Sequence, residues 1–386
     1  MDLPTSPGTG TERSSGRWLA AVLLSVLSCL FIAAAFVVWV DPFQQYHLAT
    51  RYQPRFYYLH HRYINPGLAK HQAYDTVVSG SSIMESTRND FVAETCGSSG
   101  AINLSMPAMS ASEQRLMLET AFAARPLRRV IAVLDFNEFS GGVDERQDVA
   151  GPLPRYLFDA NPFNDLPYLL SEDVLMKAWR IVRGDTTERF TSDPNGAWFW
   201  GNIVQFGRDQ VLRGLDLEHL NARYRQPQRT LGGMIASFDH NLMPLMRSHP
   251  ETEFDLVWPP YSILVWLDFA RRDQMRVSLD FKRYVFEATQ TLGNVRIFDL
   301  QSDSGITHNL DRYYDIYHFE PAVNERMVEA ACRNHDHVNA ENLNAFERQL
   351  LSQVATIAKP EGLEALLGAP RAAKGKPGRY EPADQR

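Results

Sequence analysis

A serine, an aspartate and a histidine in this chain have the types and spacing that acyl-transfer chemistry needs. Ser82 follows Gly80 and Ser81, directly after a strand-like apolar run. A serine hydroxyl becomes a nucleophile when a base takes its proton and a third group orients that base. Asp315 and His318 lie three residues apart, so one turn can present both side chains. We therefore predict Ser82 as the nucleophile, His318 as the base and Asp315 as its orienting partner.

Two further positions could stabilise the negative charge that develops on an attacked carbonyl oxygen. Asn137 can offer its side-chain amide, and Ser105 can offer its backbone N–H. Taken alone, Asn137 is typical of a loop asparagine and Ser105 of a turn residue, and Gly80-Ser81-Ser82 is typical of an ordinary turn and helix cap. Their order along the chain favours a joint site, because three of the four clusters follow strand-like runs. The clusters are Gly80-Ser81-Ser82, Asn103-Leu104-Ser105, Asp135-Phe136-Asn137-Glu138 and Asp315-Ile316-Tyr317-His318.

Strand-like and helix-like stretches alternate along most of the chain. This alternation predicts an α/β fold with a parallel sheet and right-handed crossovers, and such sheets bind ligands at their carboxyl edge. The alternation stops between about 140 and 250, which predicts a helical insertion. A lid, a substrate-binding lobe and a structural extension all remain open for it. Strands are predicted over 76–79, 101–104, 129–134, 254–258 and 295–299, and helices over about 84–95, 112–124, 166–183, 208–222, 264–291, 321–332 and 340–357.

Residues 18–40 contain no charged side chain and would span roughly 35 Å as a helix, enough to cross a bilayer. Arg13 and Arg17 precede this span and Asp41 follows it. We predict an uncleaved, single-pass anchor surrounded by membrane lipid. The positive-inside rule places its N-terminus in the cytoplasm and the main domain outside, on the periplasmic side of an inner membrane. The predicted divisions are a disordered tail (1–17), the anchor (18–40), a juxtamembrane segment (41–72), an extracytoplasmic domain (73–358) and a flexible tail (359–386).

Composition limits the partners of this 386-residue chain. The formal net charge is −7 and no basic block stands out, so nucleic acid is not expected as a partner. Histidines and cysteines do not occur at metal-ligand spacing, so neither a metal nor a cofactor is predicted. Cys96 follows Ser82 at the same distance along the chain as Cys332 follows His318. Two helices starting on one sheet face could bring the sulfurs together, and both a disulfide and two free cysteines remain open.

The four clusters together resemble the SGNH (GDSL-like) hydrolase superfamily, over about residues 73–335. Ser82 matches the nucleophile of the family's Gly-Asp-Ser block, and Ser105 stands where the family has an oxyanion glycine. Asn137 matches the asparagine of the Gly-x-Asn-Asp block, and the Asp-x-x-His block is matched by Asp315 and His318. Two family glycines are lost and one aspartate is replaced.

The resemblance implies a three-layer α/β/α sandwich of the SGNH or flavodoxin-like kind. A Gly-Ser-Ser block behind one N-terminal anchor is similar to the membrane-anchored branch, which includes the D-alanine transfer protein of teichoic acid and proteins of alginate O-acetylation. It implies acyl transfer or ester hydrolysis on a cell-envelope polysaccharide or another acylated polymer. A multispanning acyltransferase that supplies the acyl group across the membrane is a partner that remains open. The alternative is a non-catalytic envelope-assembly or glycan-binding subunit with the same fold, which the missing glycines favour.

Overall fold

A computed structural model describes residues 10–145, 152–196, 204–213, 215–216, 220 and 228–368. The first helix begins at Gly10, so residues 10–17 of the predicted disordered tail are helical. Residues 360–367 of the predicted flexible tail also form a helix. The rest of both predicted tails, residues 1–9 and 369–386, lies outside the described residues.

The fold is mixed α/β and is built on one five-stranded parallel sheet. The spatial order of its strands is β2-β1-β3-β4-β5. Every residue of β1 and β3 is buried, which requires that both faces of the sheet are covered. The chain leaves β1 toward one edge and returns beyond it to β3, so a topological switch point lies between these strands. The strands are β1 (Thr76–Ser79), β2 (Ala101–Asn103), β3 (Arg129–Val133), β4 (Glu253–Trp258) and β5 (Val295–Asp299).

Fifteen helices are present in the described residues, and those around the sheet form two packed groups. Helix α3 packs against α13, whereas α4 packs against α2 and α8, and α8 packs against α11. The helices are α1 (Gly10–Val40), α2 (His61–His71), α3 (Asn89–Cys96), α4 (Ala111–Ala124), α5 (Leu166–Leu169), α6 (Glu172–Val182), α7 (Arg208–Arg213), α8 (Leu231–Asn241), α9 (Met243–Ser248), α10 (Ile263–Arg271), α11 (Met275–Thr289), α12 (Ser304–Thr307), α13 (Pro321–Arg333), α14 (Leu343–Ile357) and α15 (Pro360–Leu367).

Four predicted helices differ from the observed ones. The helix predicted over 166–183 is observed as α5 and α6. The one predicted over 208–222 is observed as α7, which ends at Arg213; residues 215–216 are not helical, and 214, 217–219 and 221–222 lie outside the described residues.

The other two predicted helices differ for local reasons. The helix predicted from residue 84 begins only at Asn89, because the Asn103 side chain binds the carbonyls of Met84 and Thr87 at 2.7 and 3.1 Å. The single helix predicted over 264–291 is divided into α10 and α11. The break includes Asp273, whose φ of 55° lies in the left-handed region and cannot continue a helix.

The stretch Gly16–Val40 of α1 has 25 residues and is the one helix in the described part of the chain long and apolar enough to cross a membrane. Its end packs against the insertion. Val37 and Val40 are buried, and α1 lies against α5 and α6. Just past it, the Asp41 carboxylate accepts a hydrogen bond of 2.9 Å from the Tyr168 hydroxyl.

The predicted insertion is therefore divided between two roles. Its first part, which carries α5 and α6, packs against the end of α1. Phe190–Thr191 also pairs with Phe56–Tyr57 of the juxtamembrane segment. Its last part, α8, belongs to the helical layer beside the sheet. The insertion thus joins the apolar helix to the domain.

Candidate active site

Ser82 lies in a tight turn at the carboxyl end of β1. Gly80 follows the strand, and a short 3₁₀ helix begins at Ser82. A Cβ atom at Gly80 would lie 3.1 Å from the Cβ of Val133 and 3.2 Å from the Cγ of Met84. The close approach of these neighbours favours glycine there and brings the serine to the switch point between β1 and β3.

Two buried asparagines hold this turn from neighbouring elements. Besides its bonds to Met84 and Thr87, Asn103 at the end of β2 accepts a hydrogen bond from a backbone N–H through its Oδ1. The Asn324 amide on α13 donates 2.6 Å to the carbonyl of Ile83. Buried backbone groups of a loop must be hydrogen-bonded. These two side-chain amides stabilise the turn because they donate to carbonyl groups that no strand or α-helix pairs.

Ser82, His318 and Asp315 form a continuous hydrogen-bonded chain. The Ser82 Oγ lies 2.9 Å from His318 Nε2. On the other side of the ring, His318 Nδ1 lies 2.8 and 3.0 Å from the two carboxylate oxygens of Asp315. All three distances are hydrogen-bond distances, and the one between Ser82 and His318 is within the reach that proton transfer requires. The fold therefore brings together the three residues whose types and spacing suggested a nucleophile, base and orienting acid.

The ionisation of Asp315 determines the direction of these hydrogen bonds. Burial opposes its charge, but the charge and hydrogen bonds of His318, together with the backbone N–H groups of His318 and Tyr317, outweigh burial and lower the Asp315 pKa to about 2. An ionised carboxylate can only accept hydrogen bonds, so His318 Nδ1 donates to it, and in the neutral ring Nε2 is then the nitrogen that can accept. The Ser82 hydroxyl then donates to Nε2, as a serine nucleophile must.

The loop that carries Asp315 and His318 is fastened to the end of β4. The backbone N–H of Ser262 donates 3.1 Å to the carbonyl of Ile316, and the Tyr313 hydroxyl donates 2.7 Å to the carbonyl of Pro260. These contacts join the loop to the residues that follow β4.

Asp135 joins three strand ends around the same site. Its carboxylate accepts hydrogen bonds from the Ser81 hydroxyl at 3.0 Å, the Tyr261 hydroxyl at 2.7 Å and the backbone N–H of Asn137 at 3.0 Å. These donors follow β1, β4 and β3 respectively. The burial of Tyr261 and the adjacent Asp135 charge raise the pKa of Tyr261 well above its usual range, so the tyrosine remains a hydrogen-bond donor.

A pocket of about 140 Å³ opens in front of the serine. Asn137 lines it, and its Oδ1 lies 3.4 Å from the Arg229 guanidinium. Because arginine only donates hydrogen bonds, this contact leaves the Asn137 NH₂ group as a donor for another acceptor. The pocket is lined by Ser81, Ser82, Ile83, Ala108, Met109, Asp135, Asn137, Glu138, Tyr317 and His318.

Ser105 is the predicted site residue that the fold does not bring to this pocket. It is completely buried, and its backbone N–H donates 3.0 Å to the side-chain oxygen of Asn103. Its carbonyl accepts 3.1 Å from the amide of Asn65 on α2. In this conformation the Ser105 N–H is occupied by a structural hydrogen bond.

Cys96 and Cys332 form a disulfide, with Cα atoms 4.9 Å apart. They lie at or near the ends of α3 and α13, which pack against each other. The bond therefore joins the helix after the Ser82 turn to the helix after the His318 loop. The third cysteine, Cys29, is a free thiol on the exposed surface of α1.

Sequence reasoning did not single out Arg229, Tyr261 or Asn324 as parts of this site. Tyr261 comes shortly after the end of β4. A polar side chain at the end of a strand is a signal that could have indicated it. Arg229 is buried and its guanidinium lies 4.1 Å from the ring centroid of Phe269, and no local pattern indicates that contact. Within the described ranges, no group of three or more His, Cys, Asp or Glu side chains is arranged to hold a metal ion.

Comparison with known proteins adds no assignment to this geometry. No protein-family model matches the chain, and no curated protein matches it in sequence. The function of the protein is therefore inferred from its residues and their arrangement.

Proposed function

We propose that this protein is a membrane-anchored, extracytoplasmic serine acyltransferase or esterase of the SGNH type. Its substrate would be a cell-envelope polysaccharide or another acylated polymer. The observation that carries the proposal is the hydrogen-bonded chain from Ser82 through His318 to Asp315, at the mouth of a pocket. The resemblance of the four sequence clusters supports the same family and a three-layer α/β/α sandwich.

The reaction would proceed through an acyl-enzyme. The Ser82 Oγ attacks the carbonyl carbon of an ester while His318 Nε2 takes the hydroxyl proton, and the carbonyl oxygen becomes an oxyanion. Collapse of this intermediate breaks the bond to the leaving group, which receives the proton from His318. An acceptor hydroxyl then gives its proton to Nε2 and attacks the acyl-serine. As the bond between the acyl carbon and the Ser82 Oγ breaks, His318 returns that proton to the serine oxygen, which restores the free enzyme. A polymer hydroxyl as acceptor gives transfer, and water gives hydrolysis.

The oxyanion would be stabilised by the Asn137 amide and the backbone N–H of Ser82. Asn137 lines the pocket, and Arg229 orients its amide by contacting the oxygen. Ser105 remains a prediction as a third donor, and it would require release of its bond to Asn103. Donors held in place before the reaction stabilise developing charge without reorganising.

Two features support a location outside the cytoplasm. The Gly16–Val40 helix is suited to a single-pass anchor, and the Cys96–Cys332 disulfide is of a kind that persists in oxidising compartments. We propose that the N-terminus is cytoplasmic and that the domain after Asp41 is periplasmic or otherwise extracytoplasmic. A multispanning acyltransferase that supplies the acyl group across the membrane is the partner that a transfer reaction would need.

The test is labelling of the full-length protein in detergent with a fluorophosphonate, which reacts with activated serines. We expect label on the wild type and none on Ser82→Ala or His318→Ala. The matched controls are Ser304→Ala, an exposed serine, and His308→Ala, a histidine outside the pocket. Full-length protein is required because Val37 and Val40 of the anchor are buried against the domain.

A non-catalytic glycan-binding or assembly subunit is the second candidate, and the occupied Ser105 N–H favours it. A folded wild type that takes up no fluorophosphonate, and that binds envelope polysaccharide equally well with and without Ser82→Ala, would favour this second function. Label on the wild type that is lost in Ser82→Ala would favour the enzyme.

A further inference from the structure

The apolar helix α1 is longer than the hydrocarbon layer it would cross. Gly16–Val40 has 25 residues and spans roughly 37 Å at about 1.5 Å per residue, compared with about 30 Å for the hydrocarbon core of a bilayer. About five residues are therefore in excess. Val37 and Val40 at its end are buried by protein, so we assign the excess to this end. This places 36–40 at the height of the lipid headgroups.

Helix α6 of the insertion packs beside this end of α1. Ala178 and Ile181 of α6 form a small buried cluster with Val40, and Phe36 packs against it. Helix α5 also lies against α1. Both short helices are therefore placed at the headgroup level by their contacts with the anchor.

A second sector of α6 is apolar but exposed. Met176, Trp179 and Val182 follow one another at three-residue intervals, which places them along one side of the helix, and each is about half exposed. The buried residues Ala178 and Ile181 lie on a different side. The Arg183 guanidinium lies 5.8 Å from the Trp179 ring centroid, and an arginine beside a tryptophan can reach a lipid phosphate.

The apolar exposure continues into the residues before α6. Phe163 is 88 % exposed and Leu166 is 57 % exposed, and Leu170 is also exposed. Six large apolar side chains are thus exposed within 20 residues of the chain, and exposed apolar surface beyond scattered single side chains marks an interaction site. We call this set the apolar rim: Phe163, Leu166, Leu170, Met176, Trp179 and Val182.

We propose that the apolar rim is a lipid-binding surface, seated in the headgroup region of the bilayer that α1 crosses. Its continuity with the anchor is what favours lipid over a soluble partner. Tryptophan is enriched at this depth because its ring is apolar and its N–H is polar, and an amphipathic helix lying in the interface buries its apolar face there. The rim would hold the domain at a fixed height and orientation above the membrane. This inference depends on the anchor of the proposed function but not on its chemistry.

The test places a fluorescent probe at single cysteines of the full-length protein in phosphatidylcholine–phosphatidylglycerol vesicles. In a Cys29→Ser background, Trp179→Cys and, separately, Phe163→Cys carry an environment-sensitive label. The matched control is Leu351→Cys, a partly exposed apolar residue on α14 outside the rim. Quenching is measured with lipids that carry a spin label near the headgroup or deep in the acyl chain. The native Cys29, labelled alone, reports whether α1 is inserted.

We expect shallow spin labels to quench positions 179 and 163 several-fold more than position 351, and deep spin labels to quench Cys29. Quenching of Cys29 without quenching at 179 and 163 would overturn the lipid-binding rim and leave the anchor intact. No quenching at any position would overturn both the anchor and the rim, without bearing on the serine chemistry. If spin-labelled lipids quench the probe at position 179 in vesicles of pure lipid but not in native membranes, a protein partner covers the rim. That result would overturn the proposal.

Discussion

The Ser81 hydroxyl donates a hydrogen bond of 3.0 Å to the Asp135 carboxylate, which links residues 54 positions apart in the chain. Ser81 directly precedes the proposed nucleophile, and Asp135 also accepts from Tyr261 and from the backbone of Asn137. One carboxylate therefore sets the position of the serine turn relative to the amide proposed to bind the oxyanion.

We predict that Asp135→Ala lowers the rate of fluorophosphonate labelling at Ser82 by about 10-fold to 100-fold, because loosened positioning is costly in a preorganised site. Ser81→Ala removes one of the three bonds and should have a smaller effect. The measurement is the second-order labelling rate of each folded variant. An unchanged rate in Asp135→Ala would show that the remaining contacts suffice to position the serine.

We predict that Asp315→Asn lowers hydrolysis of a small test ester such as p-nitrophenyl acetate by about 10³-fold to 10⁴-fold. An amide at this position cannot stabilise the histidine cation that forms when His318 takes the serine proton, and it can favour the wrong ring tautomer. Ser82→Ala should lower the rate at least as much. Kinetics on the wild type, each single variant and the double variant would check this.

The double variant provides the control for that kinetic prediction. Because Ser82 and Asp315 would act in one unit, the double variant should be hardly slower than Ser82→Ala alone. Additive losses in the double variant would show that the two residues act independently, and would contradict the proposed chain.

We predict that Asp315 contributes acid-sensitive stability. Its folded pKa of about 2 lies below its ordinary value of 3.8, so the unfolded state binds the proton more readily. The resulting stabilisation is complete above about pH 5 and is lost as the pH falls toward 2. The shift corresponds to about 2 kcal/mol. Chemical unfolding of wild type and Asp315→Asn should therefore differ by about 2 kcal/mol less at pH 2 than at pH 5. A pH-independent difference would contradict the shifted pKa.

We predict that the Cys96–Cys332 disulfide stabilises the domain by about 2–4 kcal/mol, because it closes a long loop in the unfolded chain. The Cys96→Ser/Cys332→Ser variant should unfold at a lower denaturant concentration than wild type. Reductant should shift wild type toward this variant. Cys29→Ser is the matched control, since a free thiol on α1 should leave both the midpoint and the response to reductant unchanged. Equal midpoints for wild type and the double-serine variant would contradict the prediction.

The sequence alone determined the features that depend on local pattern. The strands β1 and β5 occur where the apolar runs predict them, because a buried parallel strand is read from a short apolar segment bounded by turn residues. Ser82, Asp315 and His318 could be selected because a sharp turn after a strand and a three-residue spacing are local properties. The long apolar helix α1 was equally readable, since its length and lack of charge are local properties of the sequence.

The tertiary structure decided what depends on contacts between distant segments. The pairing of Cys96 with Cys332 required α3 and α13 to pack together, and Arg229 and Asn324 reach the site from elements whose local sequence carries no catalytic pattern. Ser105 shows the same limit, because the hydrogen bonds that its backbone makes to Asn103 and Asn65 come from distant packing and could not be predicted from its own sequence. Local propensity indicates which residues can do chemistry, whereas long-range packing determines which of them meet.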